Sequence, residues 1–373
     1  MASADVLVLG GGTVGAAIGY GLARLGASVA LLDGADTDAR AARANFGLVW
    51  SQGKGLGAPC YQRWTLDSLE RWPAFAAELA ERTGIDPHYR RCGGLTFCLG
   101  EAELEARRAQ LDRLRVQGGL PEADTRLLDR TELQALFGRV PLGERVTGAG
   151  FCALDGHVDP LRLLKALHAG ILRNGGAVHA ATPAERIAFD GRRFAVLTPR
   201  GRFEAPRLVI AAGNGAGPLA RQVGLEVPIR PERGQILVTE RLRPLLPMPA
   251  SGLRQSEEGT VLIGASKEDA GMDAGTTLAH AAPMAARAVA IVPALREARL
   301  VRNWAGLRVL TPDGLPVYAE SPRWPGAMLA TCHSGVTLAA AHAHDLAEAL
   351  AAGRLPDRFA PFHHRRFHVP QAA

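Results

Sequence analysis

The chain has 373 residues, of which 47% are hydrophobic, so it holds enough apolar material for one large or two ordinary cored domains and does not resemble a disordered protein. The formal net charge of +6 comes almost entirely from arginine, because the sequence contains three lysines, and the arginines are scattered among acidic residues, which argues against a nucleic-acid-binding surface. Five widely spaced cysteines do not form a disulfide framework, and no apolar run is long enough to span a membrane, so we expect a soluble protein of a reducing cytoplasm.

The first 33 residues predict a strand, helix and strand unit. Apolar runs at Val6–Leu9 and Val29–Leu32 have the composition of strands buried on both faces, and the segment 14–25 between them has that of an apolar helix. Gly26 follows the helix as its stop signal. This order is typical of the start of a parallel sheet.

The turn between the first strand and this helix carries a G-x-G-x-x-G motif. Gly10 suits a tight turn, Gly12 lets the backbone approach a pyrophosphate, and Gly15 allows close packing of helix on strand. An acidic residue at the end of the second strand is placed to bind a ribose hydroxyl. The motif predicts a dinucleotide containing ADP and leaves open whether it is FAD or NAD. The residues that it assigns to the cofactor are Gly10, Gly12, Thr13, Val14, Gly15 and Asp33.

Further along the chain, the segment 43–55 is too rich in glycine for a helix and too apolar for an exposed linker, so we expect it to pack against another part of the protein. Asp159 and Pro160 predict a helix start that ends before Gly175. The buried strand 208–212 ends at a second glycine turn. Other predicted helices and strands are helices at 62–83, 101–117, 277–292 and 338–351, and strands at 93–99, 234–239, 260–264 and 327–332.

The stretch "NWAGLRVLTPDGLPVY" (303–318) predicts a strand, a turn and a strand with one arginine, Arg308, in the first strand. An arginine in a buried strand is costly unless an anion pairs with it. The residues alone allow two partners: the carboxylate of a substrate, or a nearby acid such as Asp313.

Taken together, these motifs resemble the FAD-dependent D-amino-acid oxidase (DAO) family, which includes glycine oxidase, sarcosine oxidase and D-amino-acid dehydrogenase. The segments that carry the resemblance are "GGGTVG" (10–15), "DGHVDP" (155–160), "RLVIAAGNGAG" (207–217), "RGQILVTE" (233–240) and "WAGLRVLTPDGLPV" (304–317). Within the family, the sequence is most similar to the FAD-bearing β subunits of heteromeric D-hydroxyproline dehydrogenases and opine oxidases and to the hydrogen cyanide synthase C subunit. That finer similarity rests on the segments 45–55, 254–273 and 332–350.

The resemblance implies FAD rather than NAD, and an α/β fold in which an FAD-binding Rossmann-type domain is interleaved with an α+β substrate domain built on an antiparallel sheet. The FAD-binding domain would comprise residues 1–85, 150–220 and 308–373, and the substrate domain residues 86–149 and 221–307. Because no cysteine follows Arg308 where a covalent flavin link would need one, we expect FAD to be bound non-covalently. Val309 replaces the proline usual in this motif, which leaves the arginine itself in place.

For the site, the resemblance implies that Arg308 holds the substrate carboxylate while hydride moves from Cα to flavin N5 and an imine forms. A guanidinium suits this task because its planar fork matches a carboxylate. The loop before the closing helix would turn its amides toward the flavin pyrimidine edge, although Thr337 as an ordinary helix cap is an alternative. The additional cofactor residues are Asn45, Phe46, Gly47, Leu48, Ala184, Ala212, Gly213, Ser334, Gly335, Val336 and Thr337.

Several polar residues keep two interpretations. Lys267 is either a group near the flavin or a surface lysine beside Glu268, and His333 either contacts the substrate or flavin or is structural. The histidines near the carboxy terminus, which are His363, His364 and His368, are interpreted as a solvated tail rather than a metal site.

The resemblance implies amine dehydrogenase or oxidase activity on an amino acid or secondary amine of the D-amino-acid, D-hydroxyproline, glycine, sarcosine or opine type. The similarity to those β subunits also implies a heteromeric partner subunit carrying a second flavin and an iron–sulfur centre, and the absence of a cluster motif in this chain is consistent with it. The alternatives are an FAD subunit that only relays electrons or supports the assembly, and an NAD-linked dehydrogenase.

Overall fold

A computed structural model describes residues 4–34 and 40–367. In chain order, the strands are β1 (Val6–Leu9), β2 (Val29–Leu32), β3 (Leu48–Val49), β4 (Gly94–Leu99), β5 (Thr125–Asp129), β6 (Val146–Cys152), β7 (Gly156–His157), β8 (Ala177–His179), β9 (Arg186–Phe189), β10 (Phe194–Thr198), β11 (Gly201–Ala205), β12 (Arg207–Ile210), β13 (Arg230–Arg241), β14 (Leu253–Gln255), β15 (Thr260–Gly264), β16 (Leu300–Leu310), β17 (Val317–Glu320) and β18 (Ala327–Thr331).

The α-helices are α1 (Thr13–Arg24), α2 (Pro59–Thr83), α3 (Glu101–Val116), α4 (Arg130–Phe137), α5 (Pro160–Arg173), α6 (Ala216–Gln222), α7 (Leu278–Ile291), α8 (Ala339–Ala341) and α9 (Ala347–Ala351). A π-helical turn, His342–Leu346, joins α8 to α9 into one closing helical segment. No helix of the part of the chain that the structure describes is both long enough and apolar enough to cross a bilayer.

A six-stranded sheet in the order β17-β18-β12-β1-β2-β8 forms the centre of the molecule. All neighbouring pairs in it are parallel except β17 with β18. Both faces are covered: Val6 and Val8 of β1 pack on the side of α1, α2, α5 and the closing helical segment, while Leu7 and Leu9 pack against β9–β11 and α6. Burial on both faces explains why the parallel strands are continuously apolar.

Antiparallel sheets form the second part of the structure, in the orders β14-β15-β13-β16 and β4-β6-β5. Their apolar side chains share a core with α7. The register of β13 against β16 sets Glu232 opposite Arg308 and Gly234 opposite Gly306. The fold is therefore mixed α/β with a Rossmann-like parallel region and separate antiparallel sheets, as the sequence predicted. The division into two domains at the predicted boundaries stays a prediction.

Local sequence signals located many of these elements. The predicted strands Val6–Leu9, Val29–Leu32 and Thr260–Gly264 are confirmed, and Asp159 caps α5 by accepting hydrogen bonds from Leu161 N at 2.9 Å and Arg162 N at 3.0 Å. The strand predicted at 208–212 ends two residues earlier, at Ile210. The sequence analysis made no prediction for α4, β5 or β6.

Candidate functional site

Two adjoining cavities lie between the parallel sheet and the antiparallel sheets. The turn cavity, of about 480 Å³, lies over the glycine turn after β1, and the sheet cavity, of about 730 Å³, faces β13 and β16. Ala41, Asn45, His333 and Val336 line both, so the two spaces meet at these residues.

The glycines of the first turn have distinct structural roles. Gly10 has a positive φ of 111°, and a Cβ on it would lie 2.4 Å from the carbonyl oxygen of Ala211. A Cβ on Gly15 would lie 2.0 Å from the carbonyl oxygen of Gly10, so α1 could not pack as closely against the turn. Gly15 does not line the cavity, and its role in the structure is packing.

Around Gly12 the structure is open instead. The nearest atom to a Cβ at this position would be the Ala42 Cβ, at 3.7 Å. Gly12 is the N-cap of α1 and provides no side-chain cap, and the hydroxyl of Thr13 is buried without a partner. A helix N-terminus with free amides and an unused buried hydroxyl fits a phosphate group.

The acidic residue after β2 also faces this cavity. Asp33 Oδ1 accepts a hydrogen bond from Gly11 N at 2.9 Å, and the carboxylate forms an ion pair with Arg40. Asp33 thereby ties the glycine turn to the end of β2 and still lines the cavity. Its contact with a ribose hydroxyl stays a prediction.

The other predicted cofactor residues divide between the two cavities. Ala184, Ala212, Gly213 and Gly335 line the turn cavity, and Phe46, Leu48, Ser334 and Thr337 line the sheet cavity. Gly47 lines neither: it has a φ of 88°, and a Cβ on it would lie 2.4 Å from the carbonyl oxygen of Val158. Gly47 therefore shapes the loop.

Arg308 lines the sheet cavity, and its anionic partner within the protein is Glu232. Arg308 Nη1 lies 3.0 Å from Glu232 Oε1, and burial lowers the pKa of the guanidinium while Glu232 raises it. The alternative partner Asp313 was wrong: it pairs with Arg366, with 2.6 Å between Oδ2 and Nε. Gly234 lies beside the guanidinium, because a Cβ there would be 2.5 Å from Arg308 Nη2.

Lys54 is a cavity residue that the sequence analysis did not single out. Its Nζ donates to Ser334 Oγ at 2.6 Å, and the Tyr61 hydroxyl donates to the same oxygen at 2.7 Å. Burial lowers the pKa of Lys54 to about 8, and the nearby cations Lys267 and Arg308 act in the same direction. Lys267 was singled out because lysine is scarce in this chain. The same signal could have identified Lys54, which lies in the apolar loop 43–55.

Two predicted polar residues lie in the same cavity. Lys267 lines its wall with an exposed side chain, while the adjacent Glu268 is buried and bound to Arg233 at 2.7 Å. His333 lines both cavities, at the place where they meet. The surrounding protein lowers its pKa to about 3, first through burial and then through Lys54, Arg308 and Lys267. Its ring is therefore neutral at physiological pH.

A buried carboxylate holds the loop that carries Lys54. Asp155 Oδ1 accepts from Ser51 N at 2.6 Å and from Ser51 Oγ at 2.7 Å, and Oδ2 accepts from Gln52 Nε2 at 2.9 Å. Burial raises the pKa of Asp155 to about 6, against the effect of these hydrogen bonds. Asp155 lies in the "DGHVDP" motif, to which the sequence analysis assigned no role.

Two interpretations of the carboxy-terminal region were wrong. Thr337 does not cap the closing helical segment; its hydroxyl accepts from Trp50 N at 3.3 Å. The segment around His363 is not a solvated tail, because His364 is 6% exposed and Phe362 is part of the core. The described residues contain no cluster of potential metal ligands, and His368 lies outside them.

Comparisons with known proteins match the whole chain. The family model described as "FAD dependent oxidoreductase" (DAO) covers residues 5–349. The B subunit of opine oxidase from Agrobacterium tumefaciens (strain Ach5) is 43% identical over 372 residues, which span 100% of both chains. Hydrogen cyanide synthase subunit HcnC of Pseudomonas protegens is 30% identical and covers 97% of this chain and 96% of its own. The crystal structure of glycine oxidase from Geobacillus kaustophilus superposes with a TM-score of 0.88 at 27% identity and 100% coverage of both chains.

Proposed function

The chain belongs to the family of FAD-dependent oxidoreductases, and from this membership we propose that it oxidises an amino acid or a secondary amine to the corresponding imine. The observation that carries the proposal is the position of Arg308. A guanidinium lies in the sheet cavity, which joins the turn cavity at Asn45, His333 and Val336. The protein thus offers an anchor for a carboxylate beside a site whose shape fits a dinucleotide.

We propose that FAD is held non-covalently by both cavities. The open space over Gly12, the start of α1 and the unused hydroxyl of Thr13 suit the pyrophosphate. The residues that line the space extending toward Arg308, and would hold the flavin, are Asn45, Phe46, Ser334, Val336 and Thr337. Bound FAD supplies the acceptor for the hydride that leaves the substrate Cα.

Arg308 then positions the substrate. One nitrogen, Nη1, is occupied by Glu232 and more distantly by the carbonyl oxygen of Arg233 at 3.4 Å. These contacts fix the plane of the guanidinium, so its remaining N–H groups can bind two carboxylate oxygens at once. A carboxylate held at two points has a defined Cα–H direction, which lowers the entropic cost of reaching the reactive geometry.

For the substrate, we propose a secondary amine with at least one carboxylate, as in an opine. The relative with 43% identity over the full length is named as the B subunit of an opine oxidase. Two relatives are named as subunits of larger enzymes. This supports the further proposal that a partner subunit with a flavin and an iron–sulfur centre accepts the electrons.

Anaerobic mixing of the purified protein with single substrates tests the function. We expect a yellow protein whose visible flavin absorbance is bleached by one member of a panel of octopine, D-proline, D-hydroxyproline, sarcosine and glycine. Bleaching without the partner subunit would place the oxidation in this chain.

Two other outcomes support other functions. A yellow protein that no panel member bleaches would favour the alternative of an FAD subunit that relays electrons, for which the subunit names of the relatives are the specific observation. A colourless protein that binds NAD would contradict the FAD proposal.

A further inference from the structure

Lys54 enters the sheet cavity as a cation without a counter-ion. Among the described residues, no acidic side chain lies within ion-pair distance of its Nζ, whereas Arg308 is paired with Glu232 and Arg287 with Glu103. Its one direct partner is the Ser334 hydroxyl, which also accepts from Tyr61. Because an uncompensated charge is costly when removed from water, this position weakens the preference of the amine for its protonated form.

The hydrogen-bond arrangement also suits a neutral amine. When Lys54 is protonated, its Nζ donates to Ser334 Oγ at 2.6 Å. Tyr61 also donates to this oxygen, so the Ser334 hydroxyl keeps its own proton and can donate it to Nζ once Lys54 is neutral. The other candidate acceptor of that proton is His333 Nδ1, at 3.4 Å. With Ser334 as donor, the lone pair of Lys54 is satisfied until a stronger donor enters the cavity.

Other titratable groups near Lys54 are poor proton acceptors near neutral pH. The pKa of His333 is lowered to about 3, chiefly by burial, so its ring has little affinity for a proton. Burial raises the pKa of the Cys332 thiol to about 12, and the Tyr61 hydroxyl is raised in the same way, so both stay protonated. The Glu232 carboxylate is engaged by Arg308.

Resting on the proposed function, we propose that Lys54 accepts the proton of the substrate ammonium group, so that the amine held by Arg308 is neutral before its Cα–H bond breaks. The N–H bond of the substrate breaks, a new N–H bond forms on Lys54 Nζ, and the electron pair of the old bond stays on the substrate nitrogen. No oxidant takes part in this step. The substrate nitrogen then has the lone pair that imine formation requires.

The charges around Lys54 favour this transfer once substrate is bound. The groups that face it are Lys267, Arg308, Asp155, Cys332 and His333. In the free protein, burial together with Lys267 and Arg308 keeps the pKa of Lys54 at about 8, while Cys332 and Asp155 oppose them. A substrate carboxylate at Arg308 adds a negative charge nearby, which raises the proton affinity of Lys54 when the proton arrives.

The first test measures Lys54 directly and needs no substrate. The chain contains three lysines, so the FAD-loaded protein labelled with ¹³C-lysine gives three side-chain signals, which Lys54→Arg and Lys165→Arg assign. We expect the Lys54 signal to titrate at about 8 rather than at the ordinary 10.5. A midpoint at the ordinary value would overturn the proposal.

The second test follows anaerobic flavin reduction by whichever panel member bleaches the wild type. We expect the ratio of reduction rate to substrate Kd to rise with pH through a midpoint of about 8. In Lys54→Met the ratio should fall about 100-fold near neutral pH, because a general base typically contributes two to four orders of magnitude. The pH dependence of the ratio that remains in Lys54→Met should then follow the ionisation of the substrate amine.

Lys54→Arg separates proton transfer from charge anchoring. Arginine keeps the charge and cannot be deprotonated, so we expect it to be as slow as Lys54→Met, with FAD retained. Recovery of the rate by arginine would overturn the proposal in favour of an anion-binding role. Lys165→Met, an exposed change outside both cavities, is the matched control and should leave the rate unchanged.

If no panel member bleaches the wild type, the proposed function fails and this inference fails with it. If a panel member bleaches the wild type and the pH profile of Lys54→Met is unaltered, the inference alone is refuted.

Discussion

The turn cavity and the sheet cavity depend on different features of the chain. Around Gly10, Gly12 and Gly15, what matters is the absence of Cβ atoms, within six consecutive residues. The sheet cavity depends instead on contacts between distant parts of the chain, such as Lys54 with Ser334, which are 280 residues apart, and Arg308 with Glu232, which are 76 apart. A site of the first kind is visible in the sequence as a short motif, whereas a site of the second kind is visible only when distant segments are brought together.

The largest effect is expected from adding a methyl group to the packed part of the glycine turn. Gly15→Ala places a Cβ about 2.0 Å from the carbonyl oxygen of Gly10, where main chain cannot move aside. We expect the free energy of unfolding in denaturant to fall by about 4 kcal/mol, above the usual cost of overpacking. Gly12→Ala is the matched control: its Cβ has room, so the fold should survive while FAD is lost on gel filtration. Equal stability of the two variants would contradict the distinction between the packing role of Gly15 and the cofactor-binding role proposed for Gly12.

The next effect concerns the buried carboxylate behind the Lys54 loop. The pKa of Asp155 is about 6 in the folded protein against an ordinary 3.8, so the folded state binds the proton more tightly than the unfolded chain. The resulting stabilisation is complete below the unfolded pKa and is lost as pH rises from about 4 to about 6, an effect of about 3 kcal/mol.

Denaturant unfolding of the wild type and of Asp155→Asn at pH values on both sides of this window checks it. We expect the difference in stability between the two proteins to shift toward the variant as pH rises. The exposed Asp112→Asn is the control, and it should show no such shift. A constant difference across the window for Asp155→Asn would argue against a raised pKa.

A third prediction concerns Arg308, the proposed anchor of the substrate carboxylate, and replaces its guanidinium fork while keeping the positive charge. We expect Arg308→Lys to lower the rate of flavin reduction per substrate concentration on the order of 100-fold, about 2.7 kcal/mol, because an ammonium group cannot bind both carboxylate oxygens in the same plane. FAD content should change little, because Arg308 does not line the turn cavity proposed to hold the pyrophosphate and lysine keeps the positive charge in the sheet cavity. Arg366→Lys, which alters a pair outside both cavities, is the control. Wild-type reduction rates in Arg308→Lys would remove the central support of the proposed function.

The smallest effect is expected for an ion pair outside both cavities. Asp313→Asn weakens the contact with Arg366, whose Nε lies 2.6 Å from Asp313 Oδ2. Because the pair is partly solvated, we expect a loss of about 1 kcal/mol or less in unfolding free energy and no change in flavin reduction. A large loss of activity would mean that Asp313 acts on Arg308 after all.

Some residues of the candidate site were predicted from the sequence, and others were not. Sequence reasoning located Arg308 and the loop 334–337, and it predicted that the apolar loop 43–55 packs against another part of the protein. It missed Lys54 and the role of Asp155. Of the two partners that it allowed for Arg308, the substrate carboxylate stays a prediction and the protein acid Asp313 was wrong. The acid adjacent in sequence, Asp313, was the natural suggestion, but strand register placed Glu232 opposite the arginine.

By itself, the sequence determined the parallel βαβ start, the glycine turn with Asp33 at the end of β2, and the capped start of α5. These features depend on backbone conformation, steric room and hydrophobic period, which are properties of a few consecutive residues. Tertiary structure decided which charges meet in the sheet cavity and which do not. The reason is physical: the charge state of Lys54, His333 and Asp155 is set by burial and by neighbours from distant segments, and neither exists until the antiparallel sheets pack against the parallel one.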